Sequence, residues 1–158
     1  MLELFSGTQS VSRVARELGW ETISLDICPR HSPDLCMDIM DFDETRYPKD
    51  YFDFIWASPD CRAYSVARTN AKIPQDEAMA ASDKLVAKTL QIISHFGCAF
   101  CIENPATSRL WNRDVAVGLQ CIIGVIAAMI INTEKTQNSP ATSSGNCQSV
   151  PAPACVLR

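Results

Sequence analysis

The sequence predicts an α/β protein built on a Rossmann-like, doubly wound parallel sheet. Short runs that are apolar almost throughout, rather than alternating, recur along the first two thirds of the 158 residues, as they do in strands buried on both faces. Helical patterns and turn-rich connectors separate them, which is the alternation that builds parallel sheets. The runs also close on small or acidic residues, the punctuation of strand-to-helix turns.

Taken in order, Leu2-Glu3-Leu4-Phe5 is a short apolar run closed by Ser6-Gly7. Val11, Val14, Ala15 and Leu18 then repeat at helical spacing until Gly19 ends the pattern. Thr22 to Ile27 is a second strand-like run, Cys36 to Ile39 a short third, and Tyr51 to Ala57 a fourth. From Asp76 to Phe96 the positions Leu85, Val86, Leu90, Ile92, Ile93 and Phe96 mark a long amphipathic helix, with Pro74 ahead and Gly97 behind as start and stop signals. Cys98 to Ile102 reads as a fifth strand. Cys121 to Ile131 is the longest apolar run and reads as a buried strand or short helix, far below the roughly 20 residues that span a bilayer.

The length suits one domain, and the composition, 47% apolar and 20% charged, is that of a globular protein rather than a collagen-like, disordered or membrane-spanning one. A net charge of −4 argues against a general basic surface for nucleic acid, so any such contact is local. The start lacks the basic and apolar regions of a secretory signal, and the eight cysteines are therefore expected in a reducing, intracellular setting, not secreted. Cys98 and Cys101 form a C-x-x-C inside an apolar run with no second pair nearby, which favours burial over zinc; no metal is expected. All twelve aromatic residues lie between Phe5 and Trp111, where an even spread would place roughly four in the last 47 residues.

In doubly wound sheets ligands bind beyond the carboxyl ends of the strands, so the polar residues closing each run belong together: Ser6-Gly7, Asp26, Asp38, Cys61 and Glu103. Each also has an ordinary reading as a cap or turn residue. Gly7 allows a ligand close to the backbone, but Thr8 and Gln9 follow it instead of further glycines, so a pyrophosphate cradle is not supported. Asp26, about 20 residues after the glycine turn, is placed to accept hydrogen bonds from ribose hydroxyls. Cys61 stands in a polar turn with Arg62 beside it. It is either a nucleophile or an incidental loop thiol, and Glu103 is either functional or the carboxylate that opens the next helix.

The order LELFSG, LDI, MDI, SPDC-x-x-YS and IENP resembles the C5 cytosine-specific DNA methyltransferase family, especially its compact phage and viral members, over residues 2 to about 114. The resemblance implies a sheet that binds S-adenosyl-L-methionine and acts on a cytosine flipped out of DNA. It implies that Phe5, Ser6 and Gly7 lie on the methionine part of the cofactor, Asp26 on the ribose, and Asp38 with Ile39 on the adenine, with Ile27 and the family's proline, Pro59, also in the cofactor site. Cys61 corresponds to the catalytic nucleophile, and Glu103 to the carboxylate that bonds the N3 and N4 edge of the base. No membrane contact and no metal follow from it. Oligomeric state and target sequence are not legible in it.

Two departures accompany the resemblance. Asp60 stands where the family usually has a second proline, and a carboxylate beside a thiol disfavours the thiolate. The family's later Arg-x-Arg segment, target-recognition region and closing segment are not recognisable after Trp111. Residues 1–131 are accordingly expected to be a partial catalytic domain, incomplete at its C-terminal end. Residues 132–158, rich in Ser, Thr, Pro, Ala and Asn, are expected to be a flexible or aberrant tail, which a frameshift between about Val115 and Val125 would produce. Three functions fit: a cytosine-5 DNA methyltransferase, weak or inactive in this form; an inactive cofactor-binding or interaction fragment; or an RNA methyltransferase of similar fold.

Overall fold

A computed structural model describes residues 1–65, 74–117, 119 and 154–157. Four apolar runs form strands β1 (Leu2–Leu4), β2 (Ile23–Asp26), β4 (Phe54–Ala57) and β5 (Ala99–Glu103). The run Cys36 to Ile39 gives only Cys36 to a two-residue strand β3 (Leu35–Cys36), because Asp38 caps a 3₁₀ turn over Ile39–Asp41, and a further strand β6 (Ala154–Leu157) falls within the expected tail. Two α-helices join them among the described residues, α1 (Ser10–Glu17) and α2 (Gln75–Phe96). The sheet order is β3-β2-β1-β4-β5-β6 with every pairing parallel. Chain direction across the sheet thus reverses between β1 and β4, whose register sets Leu2 beside Ile55 and Leu4 beside Ala57.

Alternation of side chains along each strand divides the core between two faces. On one, Leu2, Leu4, Leu25, Ile55 and Ile102 pack against Ile92, Ile93 and Phe96 of α2. On the other, Met1, Phe54 and Cys101 pack with Ala15 of α1. Helices on both faces leave β1 buried along its whole length: Leu2 and Leu4 face α2, and Glu3 is buried on the α1 side. This is the doubly wound α/β class that the sequence predicts.

α2 matches its signals. Pro74 precedes it, Asp76 and Glu77 occupy its first turn, and Gly97 ends it in the left-handed region at φ 61°, donating to the Ile93 carbonyl. α1 differs from expectation. Val14 and Leu18 are 52% and 57% exposed, and the residues turned to the sheet are Ser12 and Ala15. The cause is Glu3, 3% exposed on β1, whose Oε2 accepts the Ser12 amide at 2.8 Å. A strand carboxylate thereby caps the first turn of α1, which has no capping side chain of its own, and it rotates the helix so that Ser12 faces inward.

Between β3 and β4 the chain runs through two single-turn 3₁₀ helices, capped by Asp38 and Asp43. Buried Glu44 fixes this segment to α2 by accepting from Lys88 Nζ at 2.8 Å and from Gln91. Burial pushes the Glu44 carboxyl up, but the Lys88 and Gln91 hydrogen bonds outweigh it and hold the group below its ordinary value. Cys101 is wholly buried, and burial pushes the Cys98 thiol up to about 11. The apolar run Cys121–Ile131 and most of the expected tail lie outside the described residues. Within 132–158, Ala154–Leu157 extends the sheet beside β5.

Candidate functional site

The reversal between β1 and β4 opens a crevice at the carboxyl ends of the strands, where doubly wound sheets hold their ligands. A cavity of about 420 Å³ lies there, within the range of small-molecule sites. Its lining includes Phe5 after β1, Asp26 and Ile27 at the end of β2, Asp38 and Ile39 after β3, and Ser58, Asp60 and Arg62 after β4. Five of the eight residues expected to hold a cofactor therefore line one cavity. Ser6, Gly7 and Pro59 are not in its lining.

The turn after β1 is shaped by unusual backbone. Phe5, Gly7 and Gln9 all have positive φ, at 57°, 48° and 56°, and an aromatic residue in the left-handed region is a genuine strain. The strain is held in place by its neighbours. Ser6 donates its amide to the Leu25 carbonyl, and Gly7 donates to Asp26 Oδ2 at 2.8 Å. Asp26 Oδ1 accepts the Cys28 amide, also at 2.8 Å. The Asp26 carboxylate is thus oriented by one backbone donor on each oxygen, and each oxygen retains acceptor capacity for a ligand hydroxyl. Asp38 Oδ1 caps the next turn by accepting from Met40.

Cys61 begins the 3₁₀ turn Arg62–Tyr64 beyond β4 and is a half-buried free thiol. Asp60 is turned toward Arg62: its Oδ1 accepts the Arg62 amide at 2.9 Å, and its carboxylate accepts from Nε and Nη2 of the same guanidinium. Those hydrogen bonds, and then the charge of Asp60, raise Arg62 above its ordinary value. The carboxylate that departs from the family pattern is therefore engaged with a cation.

Two further braces fix this loop, and neither partner set is legible from the sequence alone. Asn104, 1% exposed at the end of β5, donates from Nδ2 to the Pro59 carbonyl at 2.9 Å. It ties the segment before Cys61 to the residue after Glu103, which is half-buried at the same sheet edge. Beyond Cys61, fully buried Tyr64 donates to Asp83 Oδ1 at 2.9 Å, and Arg113 completes the group with a forked pair to the same carboxylate. Burial, and next the Asp83 contact, push the Tyr64 hydroxyl far above its ordinary value, so it stays a neutral donor. Among the described residues no cluster of three His, Cys, Asp or Glu could hold a metal ion, and no helix is long and apolar enough to cross a membrane.

The chain is similar to a probable DNA (cytosine-5)-methyltransferase of Frog virus 3 (isolate Goorha), at 30% identity over 122 residues. The match covers 70% of this chain and 55% of the viral protein, so the chain spans about half the length of that relative. No family model and no solved structure matches it.

Proposed function

Since the chain belongs to the C5 cytosine-specific DNA methyltransferase family, we propose that it carries the cofactor cavity and the nucleophile of an enzyme that methylates C5 of cytosine in DNA. The observation that supports this most is the common placement of Phe5, Asp26, Ile27, Asp38 and Ile39 in one cavity that also contains Asp60 and Arg62, the two neighbours of Cys61. A nucleoside fits such a lining: carboxylate oxygens of Asp26 for ribose hydroxyls and Asp38 with apolar Ile39 for a purine, with Phe5 beside the adjoining sulfonium part of the cofactor. S-adenosyl-L-methionine bound there would supply an electrophilic methyl group.

C5 of cytosine is too weakly nucleophilic to accept that group unaided. The Cys61 thiolate adds to C6, forming an Sγ–C6 bond and making C5 an enamine carbon. Glu103 bonds the N3 and N4 edge of the extruded base, which holds the charge that develops in the ring and rejects thymine, whose edge lacks the amino donor. After C5 takes the methyl group, loss of its proton expels Cys61 and restores the aromatic ring. Asn104 and Tyr64 hold the loop on either side of Cys61 while the bond forms and breaks.

The test is covalent trapping. The full chain, mixed with a duplex containing 5-fluorocytosine and S-adenosyl-L-methionine, is expected to give an adduct at Cys61, because fluorine at C5 blocks the eliminating step. Calorimetry is expected to show cofactor binding lost in Asp26→Ala and kept in Cys61→Ala. Binding without an adduct would leave a cofactor-binding protein that does not turn over, and absence of binding would remove the reading altogether.

A further inference from the structure

The cavity has two chemically unlike ends. At the β2 and β3 side its polar groups are Asp26 and Asp38. At the β4 side they are Ser58, Asp60 and Arg62, with Phe5 between. Arg62 is the one cation among the described residues of the lining, and it is unusually placed. Its side chain is 88% exposed, yet Nε and Nη2 are held by Asp60 at 2.7 to 3.0 Å. Nη1 donates to no described residue. A guanidinium fixed along one edge by a carboxylate keeps donors on its other edge, and those donors form a rigid receptor for a second carboxylate. In a lining with three aspartates, Arg62 is the described side chain whose charge is complementary to an anionic ligand group.

We propose that Asp60 and Arg62 form an amino-acid subsite, in which the free edge of Arg62 binds the α-carboxylate of the methionine portion of the cofactor and Asp60 faces its α-ammonium. The inference rests on the cofactor reading given above. A ligand whose nucleoside occupies the Asp26 and Asp38 end, and which passes Phe5, brings its other end to the β4 side. A zwitterion meeting a fixed carboxylate–guanidinium pair is complementary in both signs. The Asp60 position acquires a role in this arrangement: the turn made by its Oδ1 and the Arg62 amide sets the backbone ahead of the guanidinium, and the same carboxylate pins the side chain. Asp60 and Arg62 thus serve ligand selection directly beside the nucleophile.

The experiment compares two ligands by calorimetry on the full chain: S-adenosylhomocysteine, which has the amino-acid group, and 5′-methylthioadenosine, which has the same nucleoside and sulfur without it. The wild-type chain is expected to bind the former at least tenfold more tightly. Arg62→Gln is expected to weaken S-adenosylhomocysteine by about tenfold or more, the loss of a charge-assisted hydrogen bond, while leaving 5′-methylthioadenosine unchanged. The second ligand also reports that the variant is folded. Asp60→Asn is expected to weaken S-adenosylhomocysteine less than Arg62→Gln does, because the turn to the Arg62 amide survives. Equal effects of Arg62→Gln on both ligands, or none on either, would overturn the subsite and leave the cofactor reading standing. So would a loss confined to duplex DNA affinity, which would assign Arg62 to a phosphate. If neither ligand binds the wild-type chain, the cofactor reading fails and the subsite fails with it.

Discussion

Asn104 is the side chain through which the nucleophile loop is tied to the end of β5, and its removal should be costly. It is 1% exposed, its Nδ2 donates to the Pro59 carbonyl, and its Oδ1 is buried without a hydrogen-bond partner among the described residues. Asn104→Ala forfeits about 1 kcal/mol of net hydrogen bonding and leaves the Pro59 carbonyl without this donor, at a further cost of about 1–2 kcal/mol. The total of about 2–3 kcal/mol corresponds to a fall in Tm of about 5–10 °C for a chain of this size. Urea unfolding followed by circular dichroism measures it. Asn104→Asp is the sharper variant, because it keeps the shape and sets an ionised oxygen against a carbonyl oxygen. Burial and that contact raise the introduced carboxyl's folded pKa, so its deficit is complete at pH 8 and shrinks as pH falls through that value, where the protonated acid can donate to Pro59 again. A loss below about 0.5 kcal/mol for Asn104→Ala, too small for the removal of any buried hydrogen bond, would refute the brace. So would wild-type stability of Asn104→Asp at pH 8.

Tyr64→Phe removes a hydrogen bond to the Asp83 carboxylate from a fully buried ring and should cost about 1.5–2 kcal/mol in a denaturant titration, with an unchanged stability arguing that Arg113 alone satisfies Asp83. Glu44 is held below its ordinary value of 4.5 in the folded state. Its contribution is therefore present above about pH 4.5 and lost as pH falls through the lower folded value, and Lys88→Met should flatten that acid limb of the denaturant midpoint. Gly7→Ala introduces a Cβ at φ 48° with no neighbour in its way, so the cost is backbone strain of about 1 kcal/mol. A scanning melt and calorimetry with S-adenosylhomocysteine should show a small drop in Tm together with weakened binding, since the Gly7 amide orients Asp26.

The strands were legible because a parallel sheet covered on both faces must be apolar along its length, and α2 because its start and stop residues are explicit. The face of α1 was legible only in part: Val11 and Ala15 pack against the sheet, but Val14 and Leu18 stay exposed and Ser12 is buried beside Ala15, a rotation that depends on Glu3 of β1 and is known only once the chain folds. Cys36 departs from the burial its apolar run suggests. It sits in an apolar run, yet β3 is two residues long at the edge of the sheet, and its thiol is exposed. At the site, the strand-closing residues Asp26 and Asp38 were legible from punctuation alone. The Asn104–Pro59 and Tyr64–Asp83–Arg113 contacts join residues 19 to 45 positions apart and carry no local signal. Asp60 was legible as a carboxylate beside a thiol, but its engagement by Arg62, two residues on, depends on the turn that the pair itself makes.

The reversal of direction between β1 and β4 also has a kinetic side. The segment from β1 to β3 and the segment from β4 to β5 are each locally wound, and within the described sheet they meet along the β1–β4 ladder. Two amides report the two joints: Ser6, donating to the Leu25 carbonyl, closes the first half on itself, whereas Ser58, donating to the Leu4 carbonyl, closes one half on the other. A ligand lying from Asp26 to Arg62 stitches across the second joint and not the first. In hydrogen exchange, its arrival should slow the Ser58 amide far more than the Ser6 amide, so that ligand binding is read as the two halves of the sheet ceasing to part.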